Sequence, residues 1–233
     1  MSQAKYSDCL TCPMRDHSIF AGLSLDDLST LNIQVRDITV PAGHTLYLEG
    51  DHARHAYTLR HGAVKLVKTL ADGRSQIVRL LGHGDLLGFA GMVETQYPYT
   101  AISLTETQLC QLNLADLIAA ALRLPHIYQA ISQRWFTALR QAENRIVELG
   151  AKKAEERLAT FLCQWCNTYP TNSDVPFPLT RQDMGEFLGL STEHVSRMMA
   201  AFKRHHLITE HKNLLHIPDR EKLIHHACTT GAC

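Results

Sequence analysis

Thr180-Arg181-Gln182-Asp183-Met184-Gly185-Glu186-Phe187-Leu188-Gly189-Leu190-Ser191-Thr192-Glu193-His194-Val195-Ser196-Arg197-Met198-Met199-Ala200-Ala201-Phe202 is the stretch that decides how this chain is read. Thr180 is of the type that caps a helix by accepting a backbone N–H, and Asp183, three positions on, can reach back to it. The spacing predicts a short helix over 181–188. Gly189 ends it, because glycine enters the left-handed conformation that closes a helix without the strain a Cβ would bring. Leu190 fills the turn, and Ser191 caps a second helix that runs to about His205. Two short helices across a tight glycine-containing turn make a helix-turn-helix.

The second helix divides by face. Val195, Met198, Met199 and Phe202 recur at helical spacing and are expected to pack inward, while Thr192, Glu193, Ser196 and Arg197 fall outside near its N-terminal end. In this motif that end enters the major groove of double-stranded DNA. Arg197 has the fork that matches O6 and N7 of guanine. Glu193 can accept from the N4 amino group of the paired cytosine, and Ser196 can reach a neighbouring base edge or phosphate. Thr180, Arg181, Ser191 and Thr192 are placed for backbone contacts, and Lys203 and Arg204 add positive charge at the rim. A plain helical hairpin would show the same periodicity, so context decides. Downstream, Leu207-Ile208, a polar turn at Lys212-Asn213 and residues 214–217 read as a β-hairpin wing, and Pro218 and Asp219 open a last short helix. Upstream, 154–169 reads as a helix with Leu158, Phe161, Leu162 and Trp165 on one side, followed by a polar, Pro-containing loop over 171–178.

Further upstream, residues 126–149 contain neither Gly nor Pro. Trp135, Leu139, Ala142, Ile146 and Leu149 recur at spacings of 4, 3, 4 and 3, the heptad seam of a helix that pairs with another helix. Packing on the chain's own β domain is the alternative, but so narrow a stripe favours a homodimer. Gly150 is expected to end this helix and mark a hinge. Residues 35–112 have β character. Short β-prone runs at 46–48, 57–59, 64–68, 77–81, 101–104 and 109–112 alternate with glycines, and Asp72-Gly73 marks a hairpin turn. A sandwich or barrel-like roll is the expected form, so the chain as a whole is α+β.

The chain has 233 residues, 23 basic and 23 acidic, and a formal net charge of zero. No global field draws it to nucleic acid, so any DNA binding comes from a local surface. Residues 1–8 are polar with no apolar signal segment after them, and no run approaches the ~18 apolar residues of a membrane helix. The expectation is a cytoplasmic protein. Catalysis is not expected: no phosphate-cradling glycine loop or Ser/His/Asp arrangement stands out, and the C-x-x-C pair Cys9–Cys12 precedes a β domain, not the βαβ unit of a thiol oxidoreductase.

These residues resemble the CRP/FNR family of bacterial transcription regulators over nearly the whole chain. The most specific stretches are Lys153-Ala154-Glu155-Glu156-Arg157-Leu158-Ala159 and Leu188-Gly189-Leu190-Ser191-Thr192-Glu193-His194-Val195-Ser196-Arg197. The resemblance implies an N-terminal Cys-containing segment and helix over 1–34, a cyclic-nucleotide-binding-like β-roll sensor over 35–125, a dimerisation helix over 126–150 and a winged helix-turn-helix over 151–233. The order Glu193-x-x-Ser196-Arg197 is similar to the FNR branch. It implies that these side chains read a TTGAT-like half-site, two of which in inverted order suit a two-fold dimer. Contact with RNA polymerase is also implied.

The sensed signal stays open. The segment where cyclic-nucleotide sensors of this kind place an Arg reads Tyr97-Pro98-Tyr99-Thr100-Ala101, and no Lys or Arg lies between Arg79 and Arg123. A cyclic phosphate therefore lacks its usual cationic partner. The FNR branch implies an iron–sulfur cluster on four Cys. Cys9, Cys12 and Cys110 match, but the third N-terminal Cys is missing, Ser18 and Phe20 stand at the plausible positions, and His17 is the candidate substitute. Three readings follow: a cluster on Cys9, Cys12, Cys110 and a fourth group; a thiol–disulfide switch among these cysteines; or another signal in the β-roll, haem or nitric oxide included. Cys163 and Cys166 sit in an amphipathic helix, where packing is the expected role, although joined to Cys9 and Cys12 they would have the ligand count of a zinc site. His225, His226, Cys228 and Cys233 are metal-competent types in a tail expected to fray and bind no metal; if a cluster exists, they are its reserve ligands.

Overall fold

The computed structural model describes residues 5–6, 9, 11–12, 14–21, 23–31, 33–169 and 174–229. The chain divides into two compact units, residues 1–140 and 141–233.

The first unit is built on strands β1 (Lys5–Tyr6), β2 (Val35–Val40), β3 (Thr45–Tyr47), β4 (His55–His61), β5 (Val64–Thr69), β6 (Ser75–Leu81), β7 (Leu86–Leu87), β8 (Thr100–Ser103) and β9 (Thr107–Asn113). Helix α1 (Leu25–Thr30) precedes β2, and α2 (Leu114–Arg123) and the start of α3 (Pro125–Ala151) follow β9. The strands form antiparallel sheets in the orders β1-β2-β9-β4-β7 and β3-β8-β5-β6. Asp72-Gly73 makes the β5–β6 turn: Thr69 pairs with Ser75, Gly73 has φ +85°, and the Asp72 carboxylate accepts from Arg74 N at 3.0 Å. Alternation along β4 and β9 supplies two apolar surfaces. One set, Tyr57, Leu59 and Leu109, joins Val64, Leu66, Leu81 and Ala101 inside the roll. The other, Ala56, Cys110 and Leu112, packs with Ile19, Phe20, Leu23 and Leu28 and with Leu117, Ile127 and Ile131 of α2 and α3.

Asn113 stops β9 and caps α2, its Oδ1 accepting from the N–H of Ala115 at 2.8 Å. Helix α3 buries Ile127 and Ile131 near its start. The expected stop at Gly150 is not found. The helix runs through Gly150 to Ala151, and the break comes at Lys153, whose extended backbone starts α4 (Ala154–Asn167). Glycine lowers helix propensity by only about 1 kcal/mol, and here the helix continues past it.

In the second unit α4 is followed by β10 (Val175–Pro176), α5 (Arg181–Leu188), α6 (Thr192–Arg204), β11 (Thr209–His211), β12 (Leu214–His216) and α7 (Arg220–Thr229). The wing is the hairpin β11–β12, turned at Lys212 and Asn213 with φ of +47° and +61°. The segment read as a loop over 171–178 contains β10, which extends the wing to three strands by pairing Val175 with Leu215. Its proline sits on an edge strand, where a missing N–H is tolerated. Among the described residues no helix is long and apolar enough to cross a membrane.

Candidate nucleic-acid interface and cysteine site

Thr180 and Asp183 form a reciprocal cap: Asp183 N donates to Thr180 Oγ1 at 3.0 Å, and Thr180 N donates to Asp183 Oδ2 at 2.9 Å. Gly189 closes α5 at φ +64°. A second glycine, Gly185, is needed for a reason the sequence did not show. A Cβ there would lie 2.6 Å from the carbonyl oxygen of Leu190, so only glycine lets the turn fold this tightly on α5. Ser191 Oγ accepts from His194 N at 3.2 Å and starts α6.

Helix α6 buries Val195, Met198, Met199 and Phe202 and leaves Ser191, Thr192, Glu193, Ser196 and Arg197 exposed. An acid, a hydroxyl and a guanidinium thus share the open side of its first two turns. Thr180 is also exposed. Arg181 and Lys203 each have a partner within the fold. Both bond Glu210 of the wing, Arg181 through Nη2 and Lys203 through Nζ at 3.2 Å. Burial works to raise the Glu210 carboxyl, but the bonds from Arg181 and Lys203 outweigh it and hold it below the usual range. The wing is therefore tied to both helices of the motif by one carboxylate.

On α3 the five seam residues lie open. Trp135, Leu139, Ile146 and Leu149 are 40%, 55%, 70% and 36% exposed, and Ala142 is exposed too. Tyr128, one heptad before Trp135, and Phe136 beside it widen the apolar stripe beyond the sequence reading.

Cys9 and Cys12 are half-buried and Cys110 is buried. Cys9 packs against the apolar group that contains Cys110. Cys110 Sγ lies 4.0 Å from Asp37 Oδ1, which accepts from Arg60 Nη1 at 2.7 Å. Burial pushes the Cys110 thiol up to about 11. Arg60 works against this, and the charges of Asp37, Cys12 and Cys9 add to it. A four-thiolate cluster does not fit the described residues. At the positions where a third N-terminal Cys is expected, Phe20 is 5% exposed in the core and Ser18 is used in its own turn, its Oγ donating to Arg15 O at 2.8 Å and accepting from Phe20 N at 3.1 Å. Among the described residues no group of three or more Cys, His, Asp or Glu is arranged to hold a metal ion. The side chains of His17 and Cys228, and Cys233, lie outside the described residues. Cys163 and Cys166 are buried in α4, and burial raises both thiols, Cys166 to about 11, as packed cysteines.

The roll interior carries three tyrosines. Tyr47 and Tyr97 stack at 3.8 Å between ring centroids, with Tyr57 6.1 Å from Tyr47. Tyr97 Oη donates to His55 O at 2.8 Å and accepts from His55 N at 3.1 Å. The segment expected to carry a phosphate-binding cation thus presents a phenol already bonded to backbone.

Residues 37–123 match the family described as "Cyclic nucleotide-binding domain", and residues 156–225 match "Crp-like helix-turn-helix domain". The chain belongs to the CRP/FNR family. Among its CRP/FNR relatives, the nitrogen fixation regulation protein FixK of Bradyrhizobium diazoefficiens is 29% identical over 84% of each chain. The fumarate and nitrate reduction regulatory protein of Yersinia pestis is 27% identical over 92% of this chain and 88% of its own. The solved structure of FixK2 from Bradyrhizobium japonicum superposes with a TM-score of 0.76 at 26% identity, covering 83% of this chain and 96% of that one. As a CRP/FNR protein with this motif, the chain is a DNA-binding transcription regulator.

Proposed function

We propose that this regulator is a cytoplasmic homodimer that reads two inverted TTGAT-like half-sites and answers to redox state through its N-terminal cysteines. The exposed side of α6 carries the reading: Glu193, Ser196 and Arg197 are aligned on a helix whose opposite side is core, and Thr180, Ser191 and Thr192 flank them at two helix N-termini that favour phosphate. The apolar stripe on α3 supports pairing of two copies, since a 4-3 repeat of exposed Trp, Leu and Ile finds its partner in a like helix. The names of relatives, "Transcriptional activator protein Anr" of Pseudomonas protegens among them, favour activation and hence contact with RNA polymerase.

For the signal, thiol chemistry suits the residues better than a cluster. Two half-buried cysteines three residues apart can exchange with the disulfide of a small oxidised thiol: a disulfide forms between Cys9 and Cys12, and two molecules of reduced thiol leave. A route from this pair to α3 is present. Cys12 O accepts from Arg15 N at 3.1 Å, Ser18 N donates to Arg15 O at 3.0 Å, and Arg134 of α3, beside Trp135, donates from Nη2 to Ser18 O at 3.2 Å and from Nη1 to Gly84 O at 2.7 Å.

Titration of the full chain on a duplex with two inverted TTGAT-like half-sites, under dithiothreitol and under oxidised glutathione, tests both parts. The duplex should bind at least about a thousandfold more tightly than a scrambled one. The two redox states should differ at least about fivefold, a difference that Cys12→Ser removes. Equal affinity for the scrambled duplex refutes the DNA reading; equal affinity in both redox states refutes the thiol reading alone.

A further inference from the structure

Helix α5 ends at Leu188, so the carbonyls of its last turn have no following helical N–H to bond. Two of them are taken by guanidinium groups. Arg157 of α4 donates from Nη1 to Leu188 O at 2.9 Å. Arg145, in the last turns of α3, donates from Nη2 to Phe187 O. The Arg145 guanidinium also lies over the Phe187 ring, 4.0 Å from its centroid. That ring packs against Phe161 of α4 at 5.1 Å. Glu148 holds the same guanidinium from the other direction, Oε2 accepting from Arg145 Nη1 at 2.9 Å, while Oε1 accepts from Lys152 Nζ and Gln164 Nε2, each at 3.3 Å. Arg145 and Glu148 are only 15% and 13% exposed at their side chains.

A planar guanidinium that stacks on a ring, donates to a carbonyl and is gripped by a carboxylate has one geometry open to it, which an ammonium on a flexible stem does not share. Its positive charge also complements the C-terminal end of α5. The next residue along, Ile146, belongs to the exposed apolar stripe of α3, and Phe187 precedes the turn that launches α6 by only two residues. Arg145 therefore links the segment that would pair two protomers to the end of α5 just before the turn into α6, beside Leu149, whose side chain packs on Gly189 in that turn.

We propose that Arg145 is a positioning residue for DNA recognition: it fixes the direction of α6 relative to the 141–151 segment of α3 and so sets the half-site spacing that the dimer accepts. This rests on the dimeric DNA-binding reading above. A one-base-pair change in spacing turns one half-site by about 35° and shifts it by about 3.4 Å, which a rigid joint refuses and a loose one follows.

The test is titration of full-chain wild type, Arg145→Ala and Arg145→Lys on duplexes whose two inverted TTGAT-like half-sites stand at a series of central spacings, with a single-half-site duplex, a scrambled duplex and sedimentation alongside. Wild type should prefer one spacing by at least about tenfold over its one-base-pair neighbours. Arg145→Ala should cut that ratio at least about fivefold, with single-half-site affinity within about twofold and the dimer intact. Arg145→Lys, which cannot stack and donate as a fork, should also lower the ratio, and it alone decides the matter if the alanine variant does not fold. An equal loss on every duplex with the ratio unchanged would show a role in stability only and overturn the proposal, as would no change at all. A wild type that treats inverted and scrambled duplexes alike brings down the DNA reading and this inference with it. A selective wild type with equally selective variants brings down this inference alone.

Discussion

At the scale of single residues, ionic partners decide what a charge can do. Arg181 and Lys203 are cations on the helix-turn-helix, yet both already bond Glu210, so part of their charge is spent inside the fold. Replacing Glu210 by Gln should release them toward phosphate. The slope of log affinity against log salt should then steepen by up to about 0.9 for each cation freed, and an unchanged slope would show that neither faces DNA. The pH dependence has a definite sign. The Glu210 carboxyl titrates lower in the fold than in the unfolded chain, so its ion pairs add stability above the ordinary carboxylate range and lose it as pH falls through the lowered value. Because the carboxylate is partly open to solvent, the contribution is modest. Cys110 shows the opposite displacement. With its thiol pushed up to about 11 by burial, it should alkylate far more slowly at pH 8 than half-buried Cys9 or Cys12 and gain rate as pH approaches that value. Peptide mapping after a short iodoacetamide pulse gives the order directly; equal labelling of all three would mean Cys110 is not shielded.

At the scale of elements, the motif is held by short-range chemistry: caps at Thr180 and Ser191, a left-handed glycine at 189, and a close approach at Gly185. Gly185→Ala should destabilise the second unit by about 1–3 kcal/mol, because the new methyl meets backbone rather than a side chain that can swing away. A thermal melt that matches wild type would contradict that packing. The caps and faces of α5 and α6 were legible in the sequence because each depends on residues within four positions. What was missed depends on distant partners. Val175–Pro176 becomes a strand only because β12 lies beside it, Glu210 matters only because two helices approach it, and Gly185 is required only by the carbonyl across the turn. Gly150 misled for a related reason, since a propensity cost of about 1 kcal/mol does not stop a helix. The cysteine site was half legible. Cys9, Cys12 and Cys110 and the missing further Cys could be named in advance, but that Phe20 is a core side chain shows only in the packing.

At the scale of the whole molecule, the proposed activity needs two copies, because one exposed α6 reads only one half-site. The open stripe from Trp135 to Leu149 is where the second copy should sit. Leu139→Glu or Ile146→Glu would set like charges against each other in a two-fold seam and should weaken the dimer by about tenfold or more, with operator affinity falling in step. A variant that sediments as a dimer and binds normally would move the interface elsewhere. The central claim, that the exposed side of α6 reads bases, has a more direct check. The affinity of wild type and Arg197→Ala can be measured on an inverted-repeat duplex and on the same duplex with each base pair of one half-site replaced in turn. The account predicts a loss of about 1–3 kcal/mol on the intact site and a variant that no longer discriminates at one base pair while keeping the rest of its preferences. An Arg197→Ala protein with the wild-type preference at every base pair would contradict it.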